Sequence, residues 1–449
     1  MESVAQINDR ALSLRATGDV QAALQTFRHG IVEFPDHPVL LSNCAAVLDE
    51  AGFVDGAVSL YDRIIAKDRR NAEALIAKGL TLFRAARNDE AEAALLAGLD
   101  IDAYNVRANF AMYELLHVKG DLGDAVVFQR RALERQQLLS SVAPDERRSI
   151  LILCTPGDFQ ANIPVDFLFD HQTTTTHKLY ILNRESLREV QLPQYDVVLN
   201  AIAESPDSGE ALTIASEFLA SQEKPFLNAP ATVSVTNRVR LPDTLLDVDC
   251  RLAPVTELQN DAARLATQFP IIIRPVGSHA GHGLEKIADG DALAAYLDGS
   301  SADAFYLSPF IDYSSADGYF RKYRIIFVDG EAYPCHLAIS PHWMIHYYNA
   351  PMAENQWMRD EEARFLEDLG NAFDPSQRAV LSDIARAVGL EYFGIDCSID
   401  RDGRVLVFEA DPAMLVHSSD PIDLYPYKHR YIPRIYAAIE RMIDARKRG

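Results

Sequence analysis

Paired cysteines are missing from this chain. Its five cysteines, Cys44, Cys154, Cys250, Cys335 and Cys397, are scattered and odd in number, with no CxxC. That argues against a disulfide framework or a cysteine zinc site and fits reduced, buried thiols in a reducing cytoplasm. Long apolar runs are missing too, since no stretch approaches the roughly 20 apolar residues that a membrane span needs. The opening MESVAQINDRALSLR has neither a basic start nor an apolar run, so no signal peptide is expected. Positive charge is scarce, with 43 Lys and Arg against 65 Asp and Glu, a net charge of −22. Nucleic acid and anionic membranes attract clustered Lys and Arg, so neither is an expected partner, although a local basic pocket is compatible with this balance. What is present is globular: 48% of residues are hydrophobic, and Gly and Pro number an ordinary 22 each. A chain of 449 residues exceeds one compact core and implies about two or three domains.

Before residue 145 the sequence repeats every 34 residues, with one small-residue series at Gly18, Gly52, Ala86 and Gly120 and a second at Ala23, Ala57, Ala91 and Ala125. Both are expected where helices cross. A larger position reads Phe27, Tyr61, Leu95 and Gln129, and the one three residues on reads Gly30, Ile64, Gly98 and Ala132. The stretch GDVQAALQTFRHGIVEFPDHP, ending near Pro35, resembles a tetratricopeptide repeat, whose period is about 34 residues. Arg69 and Ala103 stand where later units would carry the proline. The resemblance implies an all-α solenoid over 1–140 whose concave face takes a peptide or protein. The alternative is an array that packs on the next domain or mediates self-association. The polar QQLLSSVAPDERRS at 136–149, with Pro144 to stop a helix, marks the boundary.

Apolar runs at Ile150–Cys154, Lys178–Leu182 and Asp196–Ile202 alternate with helical stretches, notably Gly209 to Ala220. This order predicts a parallel sheet covered by helices. Next comes FPIIIRPVGSHAGHGLEKI: a strand at Ile271–Ile273, then Arg274, Gly277, Ser278, His279, Gly281 and Gly283. A glycine-rich turn after a strand brings backbone N–H groups close enough to cradle phosphate oxygens, and the arginine adds directional charge. The spacing matches neither GxxxxGK[ST] nor GxGxxG. Strands at Phe305–Ile311 and Arg324–Val328 come after it, the latter with a hairpin at Asp329-Gly330 and a basic cluster of Arg321, Lys322 and Arg324. His336, His342 and His346 lack a metal-ligand spacing, which favours interior or substrate-contact roles over zinc.

The sharpest feature is GIDCSIDRDGRVLVFEADP, two apolar-rich runs joined at Asp402-Gly403. An Asp-Gly between alternating strands predicts a two-residue hairpin loop, which pairs Arg401 with Arg404, Ile399 with Leu406 and Asp396 with Glu409. Asp411 then shares the face of Glu409. Directly opposed like charges repel, so the arrangement requires a cation, a proton or a basic neighbour. Clustered hard oxygens of this kind suit magnesium.

In this order the segments resemble the ATP-grasp superfamily, in particular its branch of glutathione synthetase and ribosomal-protein glutamate ligases, over roughly 148–449. The resemblance implies an α/β (α+β) fold of three subdomains, at 148–235, 236–303 and 304–449, with Asn228-Ala229-Pro230 leading into the central one. It implies Asp396, Glu409 and Asp411 as magnesium ligands, and Arg274 and Arg238 as nucleotide contacts. Residues Gly277 to Gly283, with Ser278, His279 and Gly281, become a phosphate-covering loop. Ser308, Phe310 and Ile311 become the hinge that holds adenine, and Arg324 the basic residue facing the reacting phosphate. The chemistry implied is ATP-dependent joining of a carboxylate to an amine through an acyl phosphate. Two family lysines read as Arg here, the usual hinge acid reads as Ser308-Pro309, and an Asn reads as Asp411. These departures leave two alternatives: a degenerate nucleotide-binding domain whose repeats recruit a partner, and a kinase-like phosphotransferase.

Overall fold

The computed structural model describes all residues except Met1, Phe159, Leu265, Thr267, His279, Ala280, 346–348 and 448–449. Two compact units emerge, Met1–Gln137 with Pro156–Asp158, and Leu138–Thr155 with Phe159–Gly449. The expected order, a helical repeat region followed by a mixed α/β region, is the observed one.

The first unit contains α1 (Val4–Ala16), α2 (Val20–Glu33), α3 (Pro38–Glu50), α4 (Val54–Lys67), α5 (Ala72–Arg84), α6 (Asn88–Leu99), α7 (Val106–Lys119) and α8 (Leu122–Leu133). The first small-residue series does not lie where helices cross. Gly18, Gly52, Ala86 and Gly120 have φ of 83°, 81°, 57° and 87° and form the left-handed turn inside each helix pair. In each pair the next residue donates back into the closing helix, Asp19 N–H to Leu14 O at 2.9 Å, Phe53 to Leu48 at 2.8 Å, Arg87 to Leu82 at 3.0 Å and Asp121 to Leu116 at 2.9 Å. This is a Schellman closure, which glycine enters without steric cost. The second series does make the crossings. Ala23, Ala57, Ala91 and Ala125 are fully buried, and a Cβ added at Gly98 would stand 2.5 Å from Ile76 Cγ1.

Among the described residues the second unit holds three sheets. The first contains β1 (Leu138–Ser141), β2 (Arg148–Cys154), β3 (Thr174–Tyr180), β4 (Val197–Asn200) and β5 (Phe226–Leu227), in the order β1-β3-β2-β4-β5. Only β1 runs antiparallel, against β3. Residues 136–149 therefore include a strand besides the expected boundary. β3 begins earlier than expected because Thr174, Thr175 and Thr176, β-branched and at most 2% exposed, pack as strand residues.

The other strands are β6 (Arg251–Leu252), β7 (Thr256–Gln259), β8 (Ile271–Pro275), β9 (Glu285–Ile287), β10 (Ala304–Pro309), β11 (Phe320–Val328), β12 (Glu331–Ser340), β13 (Tyr392–Ile399) and β14 (Val405–Asp411). They form two sheets, β7-β10-β8-β9 and β12-β11-β13-β14-β6. Both are antiparallel apart from the β14/β6 pair. The parallel sheet expected from alternation is the first sheet; in the other two, β8 with β9, β11 with β12 and β13 with β14 pair as antiparallel neighbours in sequence. One apolar core runs from Ile150, Ile152, Val197 and Leu199 of the first sheet to Ile325, Phe327, Phe393 and Ile395 of the third. Among the described residues no helix is long and apolar enough to cross a membrane.

Candidate functional site

The third sheet carries a row of four ionisable side chains on four neighbouring strands. His336 on β12 is the partner of Arg324 on β11, Arg324 of Asp396 on β13, and Asp396 of Glu409 on β14. Directly opposed residues share a sheet face, so the four project to one side.

Asp396 lies opposite Glu409 as expected, but the turn is not the expected one. Asp400 N–H donates to Arg404 O at 2.9 Å, Gly403 N–H to Asp400 O at 3.0 Å, and the Asp400 carboxylate accepts the N–H groups of Asp402 and Arg404, each at 2.9 Å. The loop is therefore Arg401-Asp402-Gly403, three residues long, and Ile399 pairs with Val405 instead of Leu406. A register shift after Asp396 then restores the expected pairing, because Phe408 is an extra residue on β14. Val405, Val407 and Ala410 face the main core, while Leu406 and Phe408 pack on the other face with Tyr313 and Ala338. Strict alternation from Val405 and Val407 would have turned Glu409 into the core. The bulge turns it outward and Asp411 with it. A second bulge lies at Cys335, where β12 shifts register to set His336 opposite Arg324.

Arg324 grips Asp396 with both arms, Nε to Oδ1 at 2.8 Å and Nη2 to Oδ2 at 3.1 Å, and Lys322 Nζ reaches Oδ2 at 3.0 Å. Lys322 and Arg324 are two residues apart and share a face; Arg321 points the other way and pairs with Asp317 and Glu361. The Asp396 side chain is 2% exposed. Burial pushes its carboxyl up, but Arg324 and Lys322 outweigh it and hold the group well below the usual carboxylate range. Glu409 accepts from Arg238 Nη2. Its carboxyl also ends below the ordinary value, with burial opposed mainly by Arg238. Asp411 goes the other way, pushed up to about 6 by burial, with a smaller push from Glu409, although its Oδ1 accepts the Ala413 N–H at 2.7 Å.

On the second sheet, Arg274 in β8 is buried. Its Nε donates to Ser278 Oγ at 3.1 Å and its Nη2 to Ser278 O. Among the described residues it has no carboxylate partner in an ion pair. Burial and then the charge of Arg238 push its guanidinium down to about 10. The loop from β8 to β9 holds Gly277, Gly281 and Gly283 at φ of 74°, 75° and 64°. A Cβ at Gly283 would meet Pro275 Cδ at 2.7 Å, so this loop can fold back on its strand only with glycine there. His279 lies outside the described residues. Ser308 is part of β10, and the Phe310 N–H bonds Pro270 O at 3.1 Å. Lys286 Nζ stands 3.5 Å from the centroid of the Phe310 ring, which also meets Trp343 edge to face. Ile311 packs on the cluster of Tyr313, Ala338, Ile345 and Leu406.

Lys322 belongs to the basic cluster expected at the start of β11, and it lies against Asp396. One group stood outside the expected site, a buried network next to His336: Glu362, with a fully buried side chain, takes His336 Nδ1 at 2.5 Å, Tyr427 OH at 2.6 Å and Lys428 Nζ at 3.4 Å, and Lys428 also pairs with Asp420 at 3.0 Å. His342 makes a local bond, its N–H to Ser340 Oγ at 3.1 Å, and His346 lies outside the described residues.

Hard carboxylate oxygens suit magnesium in kind, but as arranged the acids do not fit a resident ion. Both oxygens of Asp396 and one of Glu409 are engaged by the protein's own cations. Among the described residues no group of three or more His, Cys, Asp or Glu side chains is disposed to hold a metal.

No family model matches the chain, and no curated protein matches it. Among solved structures it is similar to a RimK domain protein ATP-grasp from Sphaerobacter thermophilus, at 13% identity over 66% of this chain and 99% of that one, with a TM-score of 0.40. It is similar as well to a tetratricopeptide repeat protein from Parabacteroides merdae, at 20% identity over 29% of this chain and 51% of that one, TM-score 0.27. A third is MamA 41-end from Desulfovibrio magneticus RS-1, at 20% identity over 30% of this chain and 78% of that one, TM-score 0.28. The chain thus spans about half the length of the Parabacteroides protein.

Proposed function

We propose that the second unit is an ATP-dependent carboxylate–amine ligase of ATP-grasp type and that the helical array recruits its peptide or protein partner. The observation that carries this reading is Arg274, a buried guanidinium with neutral oxygens as its hydrogen-bond partners, in a chain whose net charge is −22. A buried cation without an acid selects an anion. With Arg238 beside it and a left-handed glycine loop above it, the ligand of best fit is a polyphosphate.

In this reading a substrate carboxylate attacks the terminal phosphate of ATP, ADP leaves, and the resulting acyl phosphate is captured by an amine with release of phosphate. The residues supply position and charge. Arg274 and Arg238 hold the phosphate chain, Arg324 faces the transferring phosphoryl group, and Phe310 with Lys286 borders the base. Magnesium is the counter-ion that the resemblance implies.

Calorimetric titration of ATP into the intact protein and into Arg274→Met tests the nucleotide site. Affinity is expected to fall at least about tenfold in the variant, as for loss of a hydrogen bond to a charged group. Absence of binding in both proteins overturns the reading. Mass spectrometry of mixtures that release ADP then identifies an amide or a phosphorylated product. A second reading, a nucleotide-binding protein without turnover, is favoured by the acids already being paired. It predicts ATP binding with no ADP release from any carboxylate and amine.

A further inference from the structure

The paired acids and the implied metal disagree, and the disagreement has a direction. Asp396 has a basic partner on each oxygen, Lys322 and Arg324, and Glu409 is held by Arg238. These three cations come from separate places, two from β11 and one from the segment after Thr236. None of the three side chains is fully buried: Lys322 is 20%, Arg324 28% and Arg238 30% exposed. Each can therefore turn outward without leaving the site, whereas Asp396 at 2% cannot.

We infer that Lys322, Arg324 and Arg238 are resident counter-ions that keep divalent metal out of the free protein. A polyanion entering beside Arg274 draws them off the acids, and Asp396 and Glu409 then become available to a metal that enters with it. Lys322 is thereby a phosphate ligand in waiting as well as a metal excluder.

Three cations and three acids leave the free cluster without the excess negative charge that attracts a doubly charged ion, and magnesium gives up its water reluctantly to ligands already engaged. A triphosphate reverses both conditions, because it offers the cations better partners and adds its own negative charge. The two ligands then raise each other's affinity by the same factor, as linkage requires. The choice of a triphosphate rests on the proposed function; the exclusion of metal by the cations does not.

The test is binding of Mn²⁺ alone, followed by its electron paramagnetic resonance signal, to the full chain and to the folded variants Lys322→Gln and Arg238→Gln. Wild type is expected to show only weak, non-saturating binding. Each variant gains affinity by about tenfold, a factor typical of coupled sites, and adding Asp396→Asn or Glu409→Gln abolishes the gain. Two variants on different segments guard against one failing to fold. A non-hydrolysable ATP analogue then raises Mn²⁺ affinity in wild type by at least the same factor, while Lys322→Gln binds the analogue more weakly. Saturable Mn²⁺ binding to wild type that the analogue leaves unchanged, or variants that leave metal binding unchanged, overturns the inference. If the analogue fails to bind, the nucleotide reading falls, but the Mn²⁺ results for the variants still decide whether the cations exclude metal.

Discussion

Two hairpins of the third sheet turn at the same dipeptide, and the dipeptide makes a different turn in each. At Asp329-Gly330 both residues are left-handed, with φ of 52° and 82°, and Val328 pairs directly with Glu331, as a two-residue loop requires. At Asp402-Gly403 only the glycine is left-handed, with φ of 81°, and the loop is three residues long. The difference comes from Asp400, whose carboxylate bonds two backbone N–H groups of the turn and favours the wider loop. The first hairpin carries the cations and the second the acids, and each has one bulge next to the row where they meet. A turn dipeptide therefore sets register only until a bulge resets it.

Separating the two hairpins electrostatically should have the largest effect. Arg324→Met strips Asp396 of its bidentate partner and should cost about 3 kcal/mol, while Lys322→Met, which leaves that pair intact, should cost about half as much; urea midpoints rank them.

The turn itself is weaker. Asp400→Ala leaves two N–H groups of the loop without their acceptor, for an expected loss of about 2 kcal/mol. Burial raises the Asp400 carboxyl, but the Arg404 N–H, Arg251 and the Asp402 N–H outweigh it and leave the group below its ordinary value. A depressed carboxyl contributes stability above its unfolded pKa of about 4, and that stability is lost as pH falls through the folded value. Asp400→Asn should therefore destabilise at pH 7 and flatten the stability profile below about pH 4. Smallest of all, Gly330→Ala and Gly403→Ala should each cost about 1 kcal/mol for the left-handed backbone. Equal losses at both, read from thermal midpoints, would show that the glycines do not account for the difference between the turns.

The helical array was legible because its period is local. The same spacing that places Ala23, Ala57, Ala91 and Ala125 in sequence places them at helix crossings. What the spacing does not reveal is which small residue is small for packing and which for backbone angle, so the series at Gly18 reads as packing although its cause is a left-handed turn. The opposition of Asp396 and Glu409 was legible for a different reason, since the longer loop and the bulge, neither visible in the sequence, cancel. β3 was displaced because a run of threonines reads as polar although it is buried. The network of Glu362, His336, Tyr427 and Lys428 left no sequence signal, since it joins a strand and two helices far apart in the chain with no shared period.

The Schellman turns of the array have a consequence for how such a chain can change length. Asp19, Phe53, Arg87 and Asp121 each bond back to the helix just ended and are the residues from which the next helix starts. No slack residue separates the two, so one residue inserted at such a turn would rotate the second helix of the pair against the first by about 100°, the angle of one step in a 3.6-residue turn. The loops between pairs, 34–37, 68–71 and 100–105, differ in length and carry the slack instead. Duplication of a whole 34-residue unit preserves every angle, so the array is built to be copied in blocks and to resist single-residue insertion inside a pair.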